Sequence, residues 1–230
     1  MDLNILQLIC DSLPALLRGA RVTAELVGAC LGIGFGIGVP LALLHVYGPR
    51  WSRPVIAVYD RVFRGFPALV LLVLFYFGIG SFPGVHLSPT LAVLLALGLR
   101  SGAYQSQIYR GSLLAVARGQ VEAARAIGLT GGQAVRYIVI PQAAYFSLPG
   151  LANEYSILLK DTALAFVVGV VELFTQGKFI AVRTYAVLPI YGTVGAIYLF
   201  LTYGGILVFR GAERAIRIPG MSGARRRRPE

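Results

Sequence analysis

Residues 65–99 read GFPALVLLVLFYFGIGSFPGVHLSPTLAVLLALGL, a run without a single Asp, Glu, Lys or Arg. A helix needs about 20 predominantly apolar residues to cross the hydrocarbon core of a bilayer. This run therefore supplies most of two crossings joined by a short loop. Two more charge-free runs, 26–49 and 184–209, carry the same message outward along the chain. Of 230 residues, 57% are hydrophobic and 13% charged, and mean hydropathy is +0.72. Soluble domains average about 45–50% apolar and about 25% charged. A soluble enzyme and a secreted domain are excluded.

Scanning for apolar segments predicts an all-α integral membrane protein with about five transmembrane helices, near 22–46, 55–79, 88–112, 137–170 and 187–209. Loop 47–54 holds Arg50 and Arg53, loop 113–136 holds Arg118, Arg125 and Arg136, and the tail holds Arg210, Arg214, Arg217 and Arg225 to Arg228. Loop 80–87 has no Lys or Arg, and loop 171–186 has only Lys178 and Arg183. The Lys/Arg bias puts the amino terminus outside and the carboxyl terminus in the cytoplasm, with Arg18 and Arg21 as exceptions. Residues 1–21 then form an extracytoplasmic or interfacial segment, 22–218 the transmembrane domain, and 219–230 a basic tail. The first 17 residues lack Lys and Arg, so cleavage as a secretory signal is not expected. The net charge of +11 follows the membrane topology rather than a nucleic-acid face. Arg225 to Arg228 fit anchorage to anionic membrane lipid.

The fourth segment is too long for one simple crossing, since about 34 residues at about 1.5 Å each exceed a core of about 30 Å. Pro141 and the pair Pro149-Gly150 are the expected breaks. Backbone irregularity at that depth needs protein or a water-filled cavity around it. In the first span Gly28, Gly32 and Gly36, with Gly34 and Gly38 offset by two, give overlapping GxxxG spacings for close helix contact. They do not complete a dinucleotide fingerprint, and no phosphate-binding loop occurs. Cys10 and Cys30 read as plain buried thiols, and His45 and His86 lack the spacing of a metal site.

Residues 119–130, GQVEAARAIGLT, read as a short alanine-rich helix stopped at Gly128, with Thr130 and Gln133 set as a capping box that opens a second helix. This stretch resembles the EAA motif of ABC importer permeases, carried by Glu122-Ala123-Ala124, Gly128 and Ile138-Val139-Ile140-Pro141-Gln142. It is most similar to the polar amino acid branch, which serves histidine, glutamate, glutamine, arginine and opines. Further matches are Arg64-Gly65-Phe66-Pro67, Gly102-Ala103-Tyr104, Arg110-Gly111, Asn153-Glu154 and Leu158-Leu159-Lys160-Asp161-Thr162. The resemblance implies a type I importer permease with the MetI-like fold, sited as a multi-pass protein in the cytoplasmic (inner) membrane. It also implies a second permease copy or a related permease, separate ABC ATPase subunits that bind ATP and Mg, and an extracytoplasmic amino-acid-binding protein. Gly119, Glu122, Ala123, Ala124, Gly128 and Leu129 would seat in the ATPase, and no cofactor is expected in this chain. Two positions depart from the family: Phe66 stands where Thr is usual, and Gln107 where Glu is usual.

Charges inside a span cost at least about 2.5–3.5 kcal/mol on insertion scales, so each is a functional candidate. Arg100, Tyr104 and Gln107 share one face of the third span, and Glu154 and Asp161 share one face of the fourth. A zwitterionic amino acid needs a cation for its carboxylate and an acceptor for its ammonium. Arg100 offers the first, and Glu154 or Asp161 the second. Equally, Arg100 would be neutralised by Glu154, Asp161 or Asp60. Lys160, turned about 100° from Asp161, reads as a structural or gating contact. The function expected is translocation of a polar amino acid, powered elsewhere. An ion-coupled secondary transporter would need an internal repeat, and a polytopic membrane enzyme using Glu154 and Asp161 would need an activated nucleophile or a metal.

Overall fold

The computed structural model describes residues 5–84 and 86–215. The basic tail 219–230, with Arg225 to Arg228, lies outside the described residues. All regular structure among those described is helical.

Helix α1 runs from Ile5–Tyr47 without interruption. The segment expected to be separate, 1–21, thus contributes from Ile5 to the same rod as the first span. Leu8, Ser12, Leu16, Gly19 and Thr23, three or four residues apart, are buried along one face of it. Leu16 packs with Leu173 and Val194. At Gly19 an added Cβ would stand 2.8 Å from Leu173 Cα, so the glycine sets how near the two chains come.

The second expected span divides into α2 (Ser52–Gly65) and α3 (Ala68–Val73), the latter prolonged by a π turn (Leu74–Gly78) and a 3-10 turn (Ile79–Ser81). The two parts meet at 100°. Pro67 accounts for the corner, because its ring drives the preceding residue out of the helical region. Phe66 accordingly sits at φ −81°, ψ 138°.

Helix α4 (Pro89–Ala115), capped by Ser88, is the centre of the bundle. Its small residues, among them Ala92, Ala96, Ser101, Gly102 and Ser106, let α1 and α7 press against it. The glycine stripe of α1 resolves unequally. Gly34 and Gly38 face Gln105, whereas Gly28, Gly32 and Gly36 look onto open space. The close contact is therefore made by the offset pair.

After α4 come α5 (Arg118–Ala126) and α6 (Gly131–Ala134), then a π segment (Val135–Val139) and α7 (Ile140–Asp161). Pro141 and Pro149-Gly150 do not break α7. Pro141 follows directly on the π segment, whose widened turn accommodates the missing N–H without ending the helix. Helix continues through Pro149, and Gly150 gives room instead, since a Cβ there would meet Ile108 of α4 at 2.8 Å. The irregular backbone lies at either end, in the π segment and in a 3-10 stretch (Thr162–Val168) that stops at left-handed Gly169. The expected loop 171–186 contains α8 (Leu173–Thr184), and α9 (Val187–Ala215) closes the bundle. By length and apolarity α1 and α9 can each cross a membrane, and the bent α2–α3 pair makes a third if counted as one span.

Candidate functional site

A polar seam runs between α4, α7 and α2. Arg100 Nη1 donates to Asp161 Oδ2 at 2.6 Å, so of the three acids open to it, Asp161 is the one taken. Its Nε remains buried without a partner. Glu154, two turns before Asp161, is 2% exposed, and its Oε1 also lacks a hydrogen-bond partner. The Ser101 hydroxyl stands beside the Glu154 carboxylate, and Arg100 is near enough to act on it electrostatically. Tyr104 lies one turn along α4, its ring centroid 4.8 Å from Arg100 Cζ and 5.1 Å from Arg64 Cζ. Such contacts hold guanidinium groups without using up their N–H donors.

Arg100, Tyr104, Glu154 and Asp161 are thus brought together, but Gln107 belongs elsewhere. Its amide nitrogen donates to Asp60 of α2, and its oxygen accepts from Arg110 Nη1 at 3.1 Å. Asp60, buried at 7% exposure, also accepts from Ser106 Oγ at 2.8 Å. An amide suits this place because it can donate to a carboxylate and accept from a guanidinium at once. A glutamate would set two carboxylates against each other. Lys160 is exposed and acts on Asp161 electrostatically, without a hydrogen bond.

The second feature is the corner between α5 and α6. Helix α5 ends in a Schellman motif: Leu129 N donates to Ala124 O at 3.1 Å, and Gly128 N donates to Arg125 O at 3.0 Å. Gly128 takes φ 92°, a left-handed conformation that glycine adopts at little cost. Thr130 and Gln133 form both halves of the capping box. Gly119, Glu122, Ala123 and Gly128 are exposed, Leu129 is half-buried and Ile127 is 80% exposed. Ala124 differs from its neighbours, being buried against its own chain at 4% exposure. Its carbonyl and methyl hold the corner together, so the outward surface is made by Glu122, Ala123 and Ile127. Val121 joins Ala42, Leu43 and Val46 of α1 in one apolar cluster, which fixes the corner at the same end of the bundle as the end of α1.

A third polar centre escapes sequence reading. Glu172, wholly buried, caps α8 by accepting from Phe174 N and Thr175 N, both at 2.8 Å. It also accepts from the hydroxyls of Tyr198 at 2.8 Å, Thr175 at 2.9 Å and Thr23 at 3.4 Å, so α1, α8 and α9 share one carboxylate. Its only signal is an acid just beyond an apolar run with a threonine three residues on. Among the described residues, no group of three or more His, Cys, Asp or Glu is placed to hold a metal.

The bundle thus carries a charged interior seam and, at one end, a capped corner between two short helices. The chain belongs to the family of binding-protein-dependent transport system inner membrane components, whose pattern matches residues 34–217. Similar proteins include the nopaline transport system permease NocM of Agrobacterium fabrum, 36% identical over 207 residues, covering 86% of each chain. The glutamine transport system permease GlnP of Escherichia coli K12 is 32% identical over 211 residues, or 91% of this chain and 96% of the relative. The octopine permease OccQ of Agrobacterium tumefaciens is 37% identical over 209 residues, or 86% and 88%. The crystal structure of an amino acid ABC transporter with histidines superposes at a TM-score of 0.84 with 33% identity, covering 94% of this chain and all of that one. The inward-facing MetNI methionine transporter shares the fold alone, with a TM-score of 0.76 at 21% identity, over 89% of this chain and 97% of that one. The protein is therefore the multi-pass inner-membrane permease component of an ABC importer. ATP binding and hydrolysis fall to a separate subunit, and the permease itself works without a cofactor.

Proposed function

We propose that this permease carries a polar amino acid or a related zwitterion inward, past Arg100 and Glu154. The observation that carries the reading is the pair of buried, unpartnered polar atoms, Arg100 Nε and Glu154 Oε1, on adjoining helices. Buried polar groups are nearly always hydrogen-bonded, so an unfilled donor and acceptor of opposite charge call for an outside partner. An α-carboxylate meets the guanidinium and an α-ammonium meets the carboxylate. Asp161 serves to hold Arg100 rather than to bind cargo. The nopaline, glutamine and octopine permeases among the relatives support this cargo class.

The chain crosses the membrane five times in this reading, as α1, the bent α2–α3 pair with α2 at its cytoplasmic entrance, α4, α7 with its 3-10 extension, and α9, with its amino terminus outside. Helix α8 lies at the outer end, where an extracytoplasmic binding protein delivers cargo. A second permease, identical or related, completes the path. The α5 corner seats in the ATPase through Gly119, Glu122, Ala123, Ile127 and Gly128, turning closure of the ATPase pair into motion of α4 and α7. Pro149, Gly150 and Lys160 flank the seam that moves.

Uptake of labelled amino acids into vesicles tests the site. Arg100→Ala and Glu154→Ala each lower uptake while the ATPase still copurifies, and normal transport by both, at verified expression, overturns the assignment. A cysteine placed at Ile127 crosslinks to the ATPase subunit in the active complex, whereas one at buried Ala124 does not. Failure of the Ile127 crosslink contradicts the docking.

A further inference from the structure

Helix α2 presents three different faces. Ser52, Ile56 and Asp60 are buried, with Phe63 half-buried on the same side, and they pack toward the bundle. Trp51 continues the helix at its cap, and with Val55, Val58 and Val62 it falls within about 60° of arc at 3.6 residues per turn. That flank is open, with Trp51 71%, Val55 62% and Val58 58% exposed. On the opposite flank stand Arg53, Arg61 and Arg64, all exposed. Arg64 is engaged by the Tyr104 ring, while Arg53 and Arg61 form no salt bridge among the described residues. The helix's one acid, Asp60, is turned inward onto Ser106 and Gln107, so the exposed surface carries positive charge only.

Orientation completes the picture. The 100° corner at Pro67 sets α2 roughly parallel to the bilayer plane where α3 crosses it. The helix begins five residues after α1 ends, at the end of the bundle that holds the α5 corner. A surface-lying helix with an apolar flank, a tryptophan and a basic flank suits the headgroup boundary, where valines enter the acyl region and arginines meet phosphate.

We propose that α2 is an anionic-lipid site on the cytoplasmic leaflet, with Trp51, Val55, Val58 and Val62 embedded and Arg53 and Arg61 gripping lipid phosphates. The leaflet follows from the sidedness proposed above. Through Asp60 and Arg64 the same helix touches the residues beside the cargo seam, so lipid occupancy would steady Gln107 and Tyr104 from outside the path.

Trp51 is the chain's one tryptophan, which makes the test direct. The complete transporter is reconstituted with brominated phosphatidylglycerol or brominated phosphatidylcholine at equal mole fraction, and a Trp51→Phe complex supplies the fluorescence blank. The Trp51 signal is expected to be quenched by both lipids, with phosphatidylglycerol more effective by roughly threefold. Arg53→Gln/Arg61→Gln is expected to abolish that preference while leaving quenching by phosphatidylcholine. No quenching by either lipid overturns the proposal, because another subunit or water then covers the flank. Equal quenching by both also overturns it, because the arginines then select nothing. The readout involves no transport, so failure of the Arg100–Glu154 assignment leaves it unchanged.

Discussion

Two buried carboxylates divide this molecule. Glu172 is 0% exposed and has donors on both oxygens, from α8's own backbone and from the hydroxyls of Thr23, Thr175 and Tyr198. Glu154 is 2% exposed, yet one oxygen has no donor at all. A fully satisfied buried carboxylate fixes structure, because every group around it is needed and none is left over. One with spare capacity costs stability and persists where something else makes use of it. Burial alone does not tell the two apart; the tally of partners does.

The contrast can be broken at several points, beginning with the largest effect. Glu172→Ala leaves two backbone N–H groups and the hydroxyls of Thr23 and Tyr198 without their acceptor, while Thr175 keeps the Val170 carbonyl, and it is expected to lower stability by about 2–4 kcal/mol. Thermal unfolding of the purified permease would show it, with Glu172→Gln recovering part of the loss. Gln107→Glu brings a second carboxylate against Asp60, for about 1–3 kcal/mol. Pairing it with Asp60→Asn should restore most of the midpoint, and a double-mutant cycle reads the coupling. Smaller again is Gly38→Ala. Its Cβ would meet Gln105 Cβ at 2.9 Å and Ser106 N at 3.0 Å, and the strain is expected to cost about 1–2 kcal/mol. Gly36→Ala, two residues away with nothing within 4 Å, should leave stability unchanged or raise it by about 0.5–1 kcal/mol. Equal midpoints for the two alanine variants would contradict the packing described for α1 and α4.

What the sequence made legible was mostly local. The capping box of Thr130 and Gln133 and the left-handed stop at Gly128 depend on neighbours within one turn, and both are present as read. Long apolar runs marked where α1, α4 and α9 lie, since burial in lipid needs no particular partner. The features left unread fall where a distant surface decides. Residues 5–21 carry too little apolarity for a span, yet they are helical because Leu8, Leu16 and Gly19 find α8 and α9. Either glycine set in α1 could have formed the contact; Gln105 on α4 selected Gly34 and Gly38. The Phe66-Pro67 corner was readable from the restriction proline imposes on its predecessor, but hydropathy alone smoothed it into one span. At the seam, spacing assembled Arg100, Tyr104, Glu154 and Asp161, while Gln107 was drawn away by Asp60, a residue 47 positions earlier. Glu172 escaped because its partners come from three helices.

The claim at the centre is that Glu154 is kept for the cargo rather than for the fold. Its most direct test is the initial rate of ATP-driven amino acid uptake by proteoliposomes carrying the Glu154→Gln transporter, which keeps the side chain's size and removes its charge. Uptake is expected to fall by at least about tenfold, equivalent to about 1.4 kcal/mol, with a thermal midpoint no lower than that of the unchanged transporter. Uptake at the wild-type rate would contradict the account.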